Sequence, residues 1–496
     1  MLVYSEAAHQ VEFKKIHLKK SNCRQPQMTH PAPQTIHTQL GPAFYDAVTP
    51  ARFPRHILRY RNQAAADQIG LAGLSDDDFI DHFARFTPLP GTLAEPLALR
   101  YHGHQFGTYN PELGDGRGFL FAQYSERQTG RLLDLGTKGS GRTPYARTAD
   151  GRLTLKGGVR EVLATELLSA LDVPTSQTFS LIETGEDLHR HDEPSPTRSS
   201  VLVRLSHSHI RIGSFQRLSY LGQTDNLELL LRHTVRHYYP DIDPDQDYEA
   251  LILAFLPAFA LRVSDMVAGW MVAGFVHGVL NTDNFNITGE SFDYGPWRFL
   301  PHLDPGFTAA YFDQTGRYAY GRQPFSAMWA LCRLADCFVP LHDPEILAET
   351  LAGFYPAMEH HLARRFCWRL GVDSPDEAAA AEMSGALFEA AKTSQIGWDR
   401  LFHDLYGGRL TEPDQGEGPD PAWQSSSELR DLAGRLARFA PRQPDMAVRA
   451  VKSAPLVSLD ISVVEGLWAP IAEADDWAPL NQAIDDIRTL AARLRA

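Results

Sequence analysis

Cysteine is scarce in this chain. Four cysteines, Cys23, Cys332, Cys337 and Cys367, form no C-x-x-C pair across 496 residues, so neither a disulfide-stapled scaffold nor a cysteine zinc cluster is expected. A reducing cytoplasm is the expected location. Long apolar runs are also missing: residues 251–261 are short and residues 266–276 are interrupted by Gly269 and Gly274, so no membrane helix is expected. Positive charge is in deficit, with 47 Lys and Arg against 61 Asp and Glu and a formal net charge of −14, which argues against a general nucleic-acid binder. An acidic globule can still hold a basic phosphate pocket. Among the 20 histidines, the pairs His102/His104, His207/His209 and His360/His361 lack partner ligands at zinc-like spacing and are expected to pack as polar groups.

A more telling absence lies in His277-Gly278-Val279-Leu280-Asn281-Thr282-Asp283-Asn284, with Asp293-Tyr294-Gly295 beginning nine residues after Asn284. Kinase-type phosphotransferases carry H-x-D-x-x-x-x-N and then D-F-G, in which the first Asp accepts the substrate proton while the Asn and the second Asp hold metal. His277 and Asn284 keep that spacing, but the base position is Val279, which cannot accept a proton. A new carboxylate, Asp283, stands directly before Asn284. The swap points to different chemistry on the same nucleotide, with a helix or turn cap as the plainer reading of Asp283.

The remaining parts of a nucleotide site occur upstream in kinase order. Gly114-Asp115-Gly116-Arg117-Gly118 precedes the apolar run Phe119-Leu120-Phe121-Ala122, as either a phosphate-approaching loop or a simple hairpin turn. Leu132 to Lys138 reads as a strand ending in a lysine, and a helix is expected over residues 155–171, with Leu155, Val159, Val162, Leu163, Leu167 and Ala170 on one face. Two carboxylates compete as the lysine's partner. Glu161, with Gly157, Gly158 and Thr165 a turn away, is preferred because small neighbours let a strand approach; Glu166, nearer the apolar face, is the rival. Arg204 and Arg211 are either bidentate phosphate ligands or surface arginines paired with acids. Asp150-Gly151-Arg152 by itself reads as an ordinary turn.

Taken together, YHGHQFG at Tyr101 to Gly107, LGDGRG at Leu113 to Gly118, KGSGRTPYARTADGR at Lys138 to Arg152, NTDN at Asn281 to Asn284, DYGP at Asp293 to Pro296 and GRYAYGRQP at Gly316 to Pro324 resemble the selenoprotein O, or YdiU, family of pseudokinase-fold protein adenylyltransferases. The resemblance runs over residues 39–369. It implies that Gly114, Gly116, Arg117, Lys138, Asp150, Gly151, Arg204 and Arg211 contact the nucleotide, that Asp283 accepts the proton, and that Asn284 and Asp293 hold Mg²⁺ or Mn²⁺. It further implies inverted ATP, AMP transfer to Ser, Thr or Tyr of protein substrates including the chain itself, and release of pyrophosphate. UMP transfer from UTP with Mn²⁺, a γ-phosphate kinase and an inactive nucleotide-binding scaffold are the alternatives. The chain ends Arg493-Leu494-Arg495-Ala496, without the selenocysteine motif of eukaryotic members.

The expected architecture is α+β and protein-kinase-like. Residues 1–37, basic at Lys14, Lys15, Lys19, Lys20 and Arg24 and without a secretory apolar core, read as a disordered tail in which Met28 is an alternative start. A β-rich lobe is expected over 38–186, with a surface loop at 185–200, and a helical lobe over 187–372. A helical extension is expected over 373–496, broken by a Pro-, Gly- and acid-rich linker at 411–427. The stretch Arg442 to Ala450 is a degenerate form of a segment usual in the family. A monomer binding neither nucleic acid nor membrane is expected.

Overall fold

The computed structural model describes residues 31–191, 193–411 and 417–496. Alternating or wholly apolar runs in the first half form a nine-stranded sheet. Its antiparallel path runs Tyr45–Ala47, Leu97–Leu99, Leu120–Ser125, Leu132–Lys138, Thr197–Ser206, Gln177–Leu188 and Ile57–Arg61. The Leu132–Lys138 strand is buried along its whole length, Lys138 included, because neighbours cover it on both edges and the Leu155–Ala170 helix covers the sheet. That helix starts where the Thr154 side chain accepts from Gly157 N at 3.1 Å, an N-cap satisfying one orphan donor. Gly158 lets it sit close: a Cβ there would lie 2.3 Å from Leu181 Cδ1 and 2.9 Å from Ser200 Oγ.

The second half is helical, centred on Tyr248–Ala273, which packs most extensively against Phe354–Arg369. The sequence reads here as one short apolar run and one interrupted run; the structure has one continuous 26-residue helix, long and apolar enough by length and composition to cross a membrane. It is packed inside the helical lobe instead. Gly269 does not break it; a Cβ there would lie 3.2 Å from Val173 Cγ1 and Cγ2, so the glycine serves a close approach inside the helix. Gly274 does end it, in a left-handed cap at φ 71°.

Four expected boundaries move. The first 30 residues of the expected tail, with Cys23 and Met28, lie outside the described residues, while its last stretch joins the fold: Pro33–Gln34 pairs with Gln123 and Tyr124, and buried His37 donates its amide to Gln123 Oε1 at 2.8 Å. The division expected at 186 falls inside the Gln177–Leu188 strand, and the sheet continues to Ser206. The expected 185–200 loop is correspondingly shorter, since strands consume both of its ends. Of the 411–427 linker, residues 412–416 lie outside the described residues, while Trp423 is buried and donates Nε1 to Asp404 Oδ2 at 2.8 Å. A buried indole with its N–H satisfied anchors this segment.

The C-terminal helices do not trail away from the body. Ala478–Arg495 and Ile461–Ala474 fold back onto the Leu155–Ala170 helix, with Lys156 Nζ 2.7 Å from Glu465 and Arg488 Nη2 2.7 Å from Glu166. The degenerate stretch joins this contact: Gln443 donates Nε2 to the Arg493 carbonyl at 2.8 Å.

Candidate active site

Lys138, at the end of its buried strand, directs Nζ to Glu161 Oε2 at 2.7 Å and to Asp293 Oδ1 at 2.9 Å. Glu161 is 1 % exposed, and Arg204 Nη1 lies 3.5 Å from its other oxygen, so the buried carboxylate is faced by two cations. The rival Glu166 points the other way, toward Tyr60 and Arg488. Arg204 and Arg211 are not surface residues. Arg204 Nη1 is 3.4 Å from Asp293 Oδ1, and Arg211 reaches Asp293 Oδ2 at 3.7 Å and Asp115 Oδ1 at 3.1 Å. Burial alone would push the Asp293 carboxyl up, but Lys138, Arg204, Arg211 and Arg117 together hold it well below the usual carboxylate range.

Asp293 adopts φ 63°, a left-handed conformation that costs a non-glycine residue energy and is held here by its surroundings. His277 supplies one restraint. Kept neutral by burial, it donates from Nε2 to the carbonyl of Phe292, the residue before Asp293, at 3.0 Å. The loop carrying Asn281 to Asn284 is fastened similarly. Arg211 Nη1 donates to the Asp283 carbonyl at 3.1 Å, and Asn284 Nδ2 donates to the Val279 carbonyl at 2.9 Å, which leaves the Asn284 amide oxygen as an acceptor. Asp283 is 8 % exposed and its Oδ1 has no hydrogen-bond partner among the described residues. Burial, opposed by Arg211, pushes its carboxyl up to about 6.

The glycine loop and the turn at Asp150 are set by packing within the fold. The faces of Gly114 and Gly116 are covered by Tyr145: a Cβ would lie 2.3 Å from its ring at Gly114 and 2.9 Å from its carbonyl at Gly116. These glycines are therefore needed for close packing of residues 140–150, whatever a phosphate requires. Arg117 is exposed, and its carbonyl accepts from Gly139 N at 2.7 Å. Asp150 pairs with Arg190 at 2.8 Å and is not part of the Lys138 cluster. Gly151, at φ 73°, is pressed against the Gly141 and Arg142 backbone, where a Cβ would stand 2.4 Å away. The sequence reading missed Asp115, the carboxylate that pairs Arg211, and the rings of Tyr101 and Phe292, 4.4 and 4.9 Å from the Arg211 guanidinium. Their only signal was position, since Asp115 and Tyr101 lie inside the LGDGRG and YHGHQFG blocks.

A nest of one lysine and two buried arginines around a strained carboxylate suits a polyphosphate, and the family comparison agrees with that chemistry. The family model described as "Protein adenylyltransferase SelO" matches residues 29–488. The chain belongs to this family. It is a nucleotidyltransferase by that membership, and the match extends well beyond the 39–369 span legible from motifs. A "Protein nucleotidyltransferase YdiU" of Synechocystis sp. is 41% identical over 474 residues, covering 91% of this chain and 96% of the relative. One of the same name from Trichodesmium erythraeum is 42% identical, covering 90% and 96%, and one from Vibrio cholerae is 35% identical, covering 74% and 73%. Among solved structures, ROP2 from Toxoplasma gondii, described as a virulence factor with a protein-kinase fold and no enzymatic activity, covers 70% of this chain and 82% of its own at 10% identity and a TM-score of 0.25, too low to bear on the fold.

Proposed function

We propose that this chain transfers AMP from ATP to Ser, Thr or Tyr hydroxyls of proteins and releases pyrophosphate. The observation that carries the reading is Asp283: a buried carboxylate with an unpaired oxygen, two residues from the fastened Asn281, where the kinase base position holds Val279. In the proposed step the acceptor oxygen bonds to the α-phosphorus, the bond from that phosphorus to the bridging oxygen of the β-phosphate breaks, and Asp283 takes the hydroxyl proton. Positive charge is needed along the leaving pyrophosphate, and Lys138, Arg204 and Arg211 supply it, with Arg117 at the exposed edge. Arriving phosphates would take over the contacts those cations now make with Asp293. Gly114, Gly116, Asp150 and Gly151 would border the nucleotide, the first two approached past Tyr145.

The donor set fits Mg²⁺ or Mn²⁺. Asn284 offers an amide oxygen and Asp293 a carboxylate held well below the usual range, while no cluster of three His, Cys, Asp or Glu exists among the described residues to build an all-protein cage. A hard cation bound by two protein oxygens takes its other ligands from phosphates and water, and when bound it neutralises phosphate charge. ATP labelled at the α-phosphate should leave label on protein, the chain itself included, whereas γ-label should depart with pyrophosphate. Stable γ-label without α-label would make the chain a kinase, and neither label would make it a scaffold. Parallel incubation with α-labelled UTP and Mn²⁺ tests the alternative nucleotide.

A further inference from the structure

Beside Asp283 a short hairpin, Gly103–Gln105 paired with Thr108–Asn110, is fastened to the loop that carries it. His104 N donates to Thr282 Oγ1 at 2.7 Å, and Phe106 N donates to Asn281 Oδ1 at 3.1 Å. The Tyr318 hydroxyl donates to the same Asn281 oxygen at 2.9 Å. The hairpin backbone packs directly against this loop: a Cβ at Gly103 would stand 3.1 Å from both Asp283 Oδ1 and Thr282 Oγ1. At the tip, Phe106 is held at φ 50°, a conformation unfavourable for a large aromatic residue. This constrained tip holds its ring 37 % exposed, 4.9 Å from Tyr318 and 5.8 Å from Phe312. Tyr311 and Phe312 are themselves 80 % and 47 % exposed.

A contiguous exposed aromatic surface is uncommon on a protein unless something binds it, and strain retained at its centre is costly without a use. Its border is cationic. The Arg317 guanidinium lies against Gly107, 4.9 Å from the Trp329 ring, and its Nε has no hydrogen-bond partner among the described residues. The surface joins, through the Asn281 contacts, the loop whose carboxylate must meet an acceptor hydroxyl.

We propose that the Phe106 tip and the Tyr311-Phe312 step form the docking platform for the acceptor protein. They take the segment bearing the modified hydroxyl, with an apolar or aromatic side chain of that segment on the rings and a carboxylate of it on Arg317. The inference rests on protein AMP transfer as the reaction, and the test separates the two. Two synthetic peptide pools, each with a central Ser, Thr or Tyr, are incubated with the full chain and α-labelled ATP; one pool is flanked by Phe and Glu, the other by Ala and Lys. The Phe/Glu pool should be labelled with roughly tenfold or greater advantage in kcat/KM, the range expected for burying one aromatic side chain.

The Tyr311→Ala/Phe312→Ala double variant, altered only at exposed rings, should remove most of that advantage while leaving Mg·ATP affinity by calorimetry as in the parent. Arg317→Glu should shift preference toward a third pool flanked by Phe and Lys. Equal labelling of the first two pools by the parent, or an unchanged preference in the double variant, overturns the platform while α-label itself upholds the reaction. A parallel loss of Mg·ATP affinity overturns it too, by placing the rings in the nucleotide site. No α-label on any pool or on the chain removes the reaction, and the platform with it.

Discussion

Two carboxylates five residues apart on the Leu155–Ala170 helix live in opposite worlds. Glu161 is enclosed with Lys138, Arg204 and Asp293, and every partner comes from the sheet or the loops beneath it. Glu166 looks outward to Tyr60 and to Arg488, which grips it through Nη2 at 2.7 Å and Nε at 3.1 Å from the returning C-terminal helix. Five residues carry the helix about 140° past a full turn, which separates the inner ion-pair network from an outer latch. A residue's nearness to the apolar stripe does not say which side it serves.

The sharpest way to break the contrast is at the shared acid of the inner network. Asp293→Ala should abolish transfer and metal-dependent nucleotide affinity, because a lone amide oxygen is a poor site for a hard cation. Unchanged Mg·ATP binding by calorimetric titration would remove Asp293 from the metal site. Next in size, Lys138→Ala and Glu161→Ala should each lower transfer by roughly a hundredfold or more, and the double variant should be no worse than either, since groups acting as one unit are not additive. Glu166→Ala should show no such coupling to Lys138. Coupling there would merge the two faces into one.

The legible and illegible parts of this site divide along the same line. The strand ending at Lys138 and the helix from Leu155 were readable because apolar spacing sets both locally, and small residues such as Gly158 marked a close approach that the structure makes against Leu181. Long-range partners were not readable. Nothing local announces that Tyr145 covers Gly114, that Asp150 answers Arg190, or that Arg211 is paired by Asp115 from 96 residues earlier. The same holds for the C-terminal return: helices were expected over 373–496, but their docking on the Glu161 helix brings together partners such as Arg488 and Glu166, 322 residues apart. Gly269 misled for a related reason, since a glycine demanded by a packed neighbour looks in sequence like a break.

A smaller effect belongs to the outer face. Arg488→Ala removes a bidentate contact and the donor to Tyr60, but Arg488 is partly exposed, so the expected cost is about 1 kcal/mol in stability. Thermal unfolding should register it, while transfer activity should stay within about threefold of the parent if the inner network stands without the latch. A loss rivalling that of Glu161→Ala would mean that the C-terminal helices set the position of Glu161 and that the two faces are energetically one.

The smallest expected effect concerns a second latch, where Asp475, just past the Ile461–Ala474 helix, meets Arg59 at 3.0 Å and Arg198 at 2.7 Å. Burial opposes ionisation there, but hydrogen bonds from Trp477, Arg198 and Arg59 lower its carboxyl to about 2. A carboxyl depressed in the folded state stabilises fully above its unfolded pKa of about 4, and the contribution is lost as pH falls toward 2. Half of the Asp475 side chain is exposed, so screening limits the contribution to less than about 1 kcal/mol. Asp475→Asn keeps the left-handed cap at φ 52° while removing the charge, and should lower the unfolding midpoint slightly at pH 7 and by the same amount at pH 5. At pH 3 the gap between variant and parent should narrow, because part of the parent's advantage has been titrated away. A gap that holds constant down to pH 3 would mean that the carboxylate charge contributes nothing and that the latch consists of packing alone.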